Sequence, residues 1–65
     1  MNKLTMKIKK LRAKKGWTQK ELAKKSGLAI VTIEKIEMGE RTNLYLSTRK
    51  KLAKALGVSI MELLD

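Results

Sequence analysis

Leu4, Ile8 and Leu11 recur at i, i+4 and i+7, the spacing that lines one stripe of an α-helix, and Gly16 marks where that helix should end. Lys3, Lys7, Lys10 and Lys14 fall on a second stripe, about a quarter-turn round at roughly 100° per residue. That stripe is either a solvated flank or a row facing phosphates. Thr18 with Glu21 three residues later forms a capping box, in which each side chain satisfies a backbone donor of the other, and Trp17 is placed to staple onto Leu22. A second helix is therefore predicted to start there, to carry Leu22 and Ala23 inward, and to stop at Ser26-Gly27.

Only Leu28 and Ala29 separate this helix from a third, in which Ile33 and Ile36 are spaced for burial and Gly39 closes the segment. Two short helices joined by a tight turn containing glycine are the mark of a helix-turn-helix, because such a turn forces the second across the first at a steep angle. After Glu40 to Leu46, Ser47 or Thr48 is expected to cap a fourth helix carrying Leu52, Ala53 and Leu56 and ending at Gly57. Ser59 and Glu62 repeat the capping-box spacing and Val58 is placed to staple onto Leu63, predicting a short fifth helix from Ile60 towards Asp65. The expectation is an all-α, compact bundle of five short helices, with residues 1–65 forming one domain without linker, repeat or low-complexity segment.

Composition narrows the chemistry. A chain of 65 residues buries only about 60% of the surface its unfolded form exposes, which leaves no room for a large active site. It is 43% hydrophobic with neither cysteine nor proline, so packing rather than disulfides must hold it, as suits a reducing compartment. No apolar run approaches the roughly 20 residues that span a bilayer, and Met1 to Lys10 lacks the apolar stretch of a signal peptide, so a cytoplasmic setting is expected. With no histidine, no cysteine, no glycine-rich phosphate loop and no paired carboxylates, neither an enzyme nor a metal or cofactor site is expected.

Sixteen Lys plus Arg against six Asp plus Glu give a net charge of +10, for which a polyanion is the natural partner, nucleic acid before acidic membrane. The field is uneven: ten basic residues and one acidic lie up to Lys25, whereas from Ser26 to Tyr45 Lys35 and Arg41 face three glutamates. A basic amphipathic helix over Lys3 to Lys15 could lie on a membrane surface, but the caps and turns downstream describe a folded bundle.

Thr18-Gln19-Lys20-Glu21-Leu22-Ala23, then Gly27, Ile33, Ile36-Glu37, Gly39 and Ala53 to Val58 resemble the lambda-repressor-like family, which includes phage repressors and Cro, over roughly Ile8 to Leu64. The resemblance implies duplex DNA as the partner, with the second helix against the backbone and the third in the major groove. Gln19 matches the family's phosphate-binding glutamine at a helix N-terminus, where free amides and the positive dipole end favour anions. Arg12 and Glu37 match an ion pair that would lock the first helix to the third and orient the arginine towards a phosphate. Lys20, Arg41, Thr42 and Asn43 are further phosphate candidates, although Leu44 stands where the family often has proline and Arg49 where it is usually apolar. Trp17 is assigned to structure, and Tyr45 to a phosphate or dimer contact.

Base-reading positions carried over from the family fall on Ala29, Ile30, Val31, Glu34 and Lys35, and here the chain departs from the usual pattern. Only Lys35 brings the donor chemistry typical of major-groove readout; Ile30 and Val31 suit thymine methyl groups, and Glu34 suits a cytosine amino group. Ala29 stands where a Ser or Thr cap is common. The resemblance further implies a dimer on half-sites about 34 Å apart, acting as a transcriptional repressor, with Leu44, Leu46, Ile60, Met61 and Leu64 as dimer-contact candidates. A second reading makes the apolar Ile30-Val31 face a docking surface for another protein, in an antitoxin-like or engineered scaffold.

Overall fold

A computed structural model describes residues 3–64; Met1, Asn2 and Asp65, the outermost residues of the expected 1–65 domain, lie outside the described residues. Helix α1 spans Lys3–Lys15, α2 Gln19–Ser26, α3 Ile30–Glu37 and α4 Leu46–Leu56, followed by a single 3-10 turn at Ile60–Leu63. The described residues therefore form four α-helices and one 3-10 turn, not five helices. The last segment keeps i→i+3 geometry, with the Glu62 N–H on the Ser59 carbonyl at 3.0 Å, and the Ser59 hydroxyl accepts from Met61 N–H at 3.2 Å. With only four residues it is too short for α-helical bonds to propagate.

Local chemistry sets most boundaries. At the start of α2 the capping box is closed in both directions: the Glu21 N–H donates to the Thr18 hydroxyl at 3.1 Å and the Thr18 N–H donates to the Glu21 carboxylate at 2.8 Å. Hydrogen bonding of the carboxylate to Thr18, to its backbone amide first and then to its side chain, holds the Glu21 carboxyl below its ordinary pKa. The helix ends at Gly27, whose φ of 75° is the left-handed conformation that glycine adopts without penalty, and the Leu28 N–H closes the turn on the Ala23 carbonyl at 3.1 Å. Helix α3 begins at Ala29 with no side-chain cap.

Helix α4 begins at Tyr45-Leu46, so Ser47 and Thr48 lie inside its first turn rather than capping it. The cause is Leu44, which is drawn into the core at 7% exposure, while the Arg49 guanidinium donates to its carbonyl at 3.2 Å. A second Arg49 donor reaches the Leu63 carbonyl at 2.6 Å. Arg49 thus fastens both the incoming loop and the 3-10 turn to α4, which accounts for an arginine where the family resemblance led to an apolar expectation.

One core gathers Leu4 and Ile8 of α1, Leu22 and Ala23 of α2, Ile33 and Ile36 of α3, Leu52, Ala53 and Leu56 of α4, and Leu44 and Leu63 from the connecting segments. Burying each large aliphatic side chain contributes about 1.5–3 kcal/mol, so these positions dominate the stability of so small a chain. A buried hydrogen bond from the Thr5 hydroxyl to the Ile36 carbonyl, 2.9 Å, joins α1 to the end of α3 and adds a second donor to a carbonyl that also accepts from the Gly39 N–H at 3.1 Å. Trp17 is half-buried against the core, with the Lys15 and Lys25 ammonium groups 5.7 and 5.2 Å from its ring centre.

Candidate nucleic-acid interface

Helix α3 is divided lengthwise. Ile33, Ile36 and Glu37 point inward, whereas Ala29, Ile30, Val31 and Lys35 are exposed and Glu34 is half-buried beside them. Ile30 and Val31 keep 43% and 50% of their surface, a high exposure for aliphatic residues in a chain with a well-filled core. Of the sequence-predicted base-reading set, Ile30, Val31 and Lys35 thus lie exposed on α3, Glu34 is half-buried among them and Ala29 stands exposed at the N-cap.

Behind that strip lies a charged joint. Arg12 Nε donates to Glu37 Oε2 at 2.7 Å and its Nη2 to Glu37 Oε1 at 2.9 Å, a two-pronged pair in which the glutamate side chain is only 2% exposed. Arg12 Nη1 donates to the Trp17 carbonyl at 2.7 Å, so the same guanidinium also ties the turn between α1 and α2. The hydrogen bonds and charge of Glu37 hold the arginine pKa above its already high ordinary value, against the opposing effect of burial.

The joint includes a residue whose part in it sequence reading missed: Gln19 Nε2 donates to Glu37 Oε1 at 3.1 Å. Gln19 and Glu37 are 18 positions apart on different helices, and no periodic pattern links them. The bond uses one amide hydrogen of Gln19 and leaves the other at the N-terminus of α2, where backbone amides also lack helical partners. Lys20 is exposed next to it.

Past α3, Arg41 and Asn43 are exposed and Thr42 is half-buried. Arg41 and Asn43 line a cleft of about 450 Å³ with Thr32, Tyr45 and Thr48. Thr32 was not singled out by sequence and Thr48 only as a helix cap, because hydroxyl residues within helices give no pattern that marks them as lining a cleft. On the first helix Lys3, Lys7, Lys10 and Lys14 are exposed, yet Lys7 Nζ donates to the Glu62 carbonyl at 3.0 Å, so part of that basic stripe is spent on holding the 3-10 turn.

Of the dimer-contact candidates, Leu46, Met61 and Leu64 are exposed and Ile60 is half-buried, while Leu44 belongs to the protomer's own core. A buried side chain has no surface to share, and Leu44 is removed from that set. Among the described residues no group of His, Cys, Asp or Glu could hold a metal ion, and no helix is long and apolar enough to cross a membrane.

A helix-turn-helix family model matches residues 8–63, which includes every helix boundary from the middle of α1 to the 3-10 turn. The chain is 39% identical over 61 residues to a Neisseria hypothetical transcription factor from Neisseria meningitidis serogroup B, covering 94% of this chain and 57% of that protein, so it spans little more than half the length of that relative. Its fold superposes on the high-resolution crystal structure of the restriction-modification controller protein C.AhdI from Aeromonas hydrophila with a TM-score of 0.86 at 36% identity, covering 94% of this chain and 91% of that one. With the capped α2, the glycine turn, the divided α3 and the Arg12–Glu37 joint all inside the matched region, the chain belongs to the helix-turn-helix family, of the lambda-repressor-like type that includes Cro and the phage repressors.

Proposed function

We propose that the protein is a transcriptional regulator, a repressor that binds duplex DNA sequence-selectively as a homodimer with α3 in the major groove. The observation that carries this reading is the exposed outer strip of α3, backed by a joint that fixes α3 relative to α1 and α2. A helix can read base edges only if its pose is set before contact, and the Arg12–Glu37–Gln19 cluster sets it.

Phosphate contacts fall to Gln19 and Lys20 at the start of α2, to Arg41, Thr42 and Asn43 in the loop after α3, and to the donors of Arg12 that Glu37 and Trp17 leave over. Ala29, Ile30, Val31, Glu34 and Lys35 face the bases. Ile30 and Val31 pack on thymine methyl groups and Lys35 supplies a donor for guanine, so the preferred site is rich in A·T pairs at its centre of contact. The exposed Leu46, Met61 and Leu64, with Ile60 at their edge, join two protomers on half-sites about 34 Å apart. A hypothetical transcription factor and a restriction-modification controller among the similar proteins support the reading as a transcriptional regulator.

The apolar exposure of Ile30 and Val31 also favours a second reading, a protein-docking face on the same strip. Selection of bound duplexes from a random pool, followed by titration at two salt concentrations, separates the two. The DNA reading predicts an enriched motif and, for about six phosphate contacts, an affinity loss on the order of a thousandfold between about 50 and 200 mM salt. No enrichment and no salt-dependent binding would leave the protein-docking reading.

A further inference from the structure

A strongly basic cleft lies apart from the recognition strip. The C-terminal halves of α2 and α4 enclose a shallow hollow of about 600 Å³, walled by Lys24, Lys25, Lys51 and Lys54 over a floor that includes Gly27 and Ala55. None of the α3 residues assigned to bases lines this hollow, and neither does Gln19, which sits at the opposite end of α2, roughly 10 Å along the helix axis.

Helix-end charge accounts for part of the cluster, since lysines in the last turns of α2 and α4 offset the negative ends of those helices. It does not account for Lys51, which sits a turn earlier and raises the like-charge repulsion around Lys54, a destabilising arrangement unless an anion fills the space. Among the described residues the lining carries no carboxylate; Glu21, beside Lys24 and Lys25 on a neighbouring surface, has its carboxylate bonded to the Thr18 amide.

The chemistry of the walls selects among anions. All four charges are lysines, which act as point charges on flexible stems and make no planar two-pronged demand on a carboxylate. The floor offers small residues rather than the aromatic or large aliphatic anchors on which peptide docking depends. Among the described residues no aromatic ring lines the hollow to stack a base or nucleotide, and Trp17 is already faced by Lys15 and Lys25. A run of phosphodiester charges, recognised by spacing and not by sequence, meets these conditions.

We infer that the α2–α4 lysine cleft is a second, sequence-independent site for the phosphate backbone of duplex DNA, engaging a different segment from the one read by α3. The inference rests on the proposed DNA reading only for the identity of the first segment. One protein can then hold two stretches of duplex, with the second held weakly, on the order of the 10⁻⁴–10⁻⁶ M typical of non-specific contacts.

The test is a two-stage titration of the isotope-labelled full chain followed by backbone amide NMR: first with the duplex recovered by selection, or a random duplex pool if selection recovers none, then with a short unrelated duplex. The expected result is that α3 amides shift in the first stage and those of Lys24 to Gly27 and Lys51 to Ala55 shift in the second. Lys24→Gln/Lys51→Gln/Lys54→Gln, which spares the Trp17 partner Lys25 and keeps good helix formers, should weaken the second event about tenfold and lower its salt slope by roughly 0.9 per lysine. Its first-stage affinity and thermal midpoint should match the parent. Cleft amides that stay still in the second stage, while α3 responds in the first, would overturn the inference and leave the base-reading proposal standing. Cleft amides that respond while α3 never does would do the reverse. Equal shifts with poly-glutamate at matched charge and salt would also overturn it, assigning the cleft to acidic polypeptides.

Discussion

The Gln19 side-chain amide donates to Glu37 Oε1 at 3.1 Å, the same oxygen that accepts from the Arg12 guanidinium at 2.9 Å. One buried carboxylate on α3 therefore aligns both a phosphate candidate at the start of α2 and the arginine of α1. The fold and the proposed contact surface share a single joint, and changes there act on both.

Arg12→Met should destabilise the protein by about 3 kcal/mol, because it strands the Glu37 carboxylate in an interior that exposes only 2% of it. The double variant Arg12→Met/Glu37→Leu should recover most of that loss, since well-packed apolar groups replace a buried pair with little net change. Urea unfolding with unchanged slope checks it. Additive losses in the double variant would mean that the two side chains are not energetically coupled, and that loss of Arg12 does not strand Glu37.

Ala29→Ser should stabilise the fold by about 1 kcal/mol, by offering a hydroxyl to the N-terminal amides of α3, where no side chain caps the helix. A thermal midpoint unchanged or lowered would show that the turn after Gly27 holds position 29 in a geometry unable to cap.

Acid should weaken the start of α2 through Glu21. Its carboxyl is held below the ordinary value of 4.5 by bonds from Thr18, so the folded form binds its proton less readily than the unfolded form. The resulting stabilisation is complete above about pH 4.5 and is lost as pH falls through the lower folded value. Glu21→Gln should therefore melt below the parent at neutral pH, and the gap should close in acid. A gap independent of pH would assign the effect to the shape of the side chain rather than its charge.

The parts of this molecule written in local chemistry were legible along the chain. Thr18 with Glu21, and Gly27 three residues before Ile30, announce α2 and its turn without reference to anything distant, and Ile33 with Ile36 reveal the inward edge of α3. What the chain concealed depends on tertiary partners. Arg49 looks out of place until the carbonyls of Leu44 and Leu63 converge on it, and Leu44 looks like spare surface until the loop turns it into the core. Ser47 and Thr48 have the composition of a cap, yet burial of Leu44 starts the helix before them. Ser59 and Glu62 have capping-box spacing, but the segment is too short to become an α-helix. The inward edge of α3 followed from period and its outward positions from the family resemblance, whereas the bond from Gln19 to Glu37 needed three helices in place.

The central claim is that Gln19 positions the protein on phosphates while the outer strip of α3 reads bases, and affinities of Gln19→Ala and Lys35→Ala over a panel of duplexes differing at single base pairs test it most directly. The account predicts that Gln19→Ala weakens every duplex by a similar factor, whereas Lys35→Ala loses discrimination at one base pair by about 1–3 kcal/mol and leaves the others ranked as before. Uniform losses from both variants, or no loss from Lys35→Ala at any position, would contradict it.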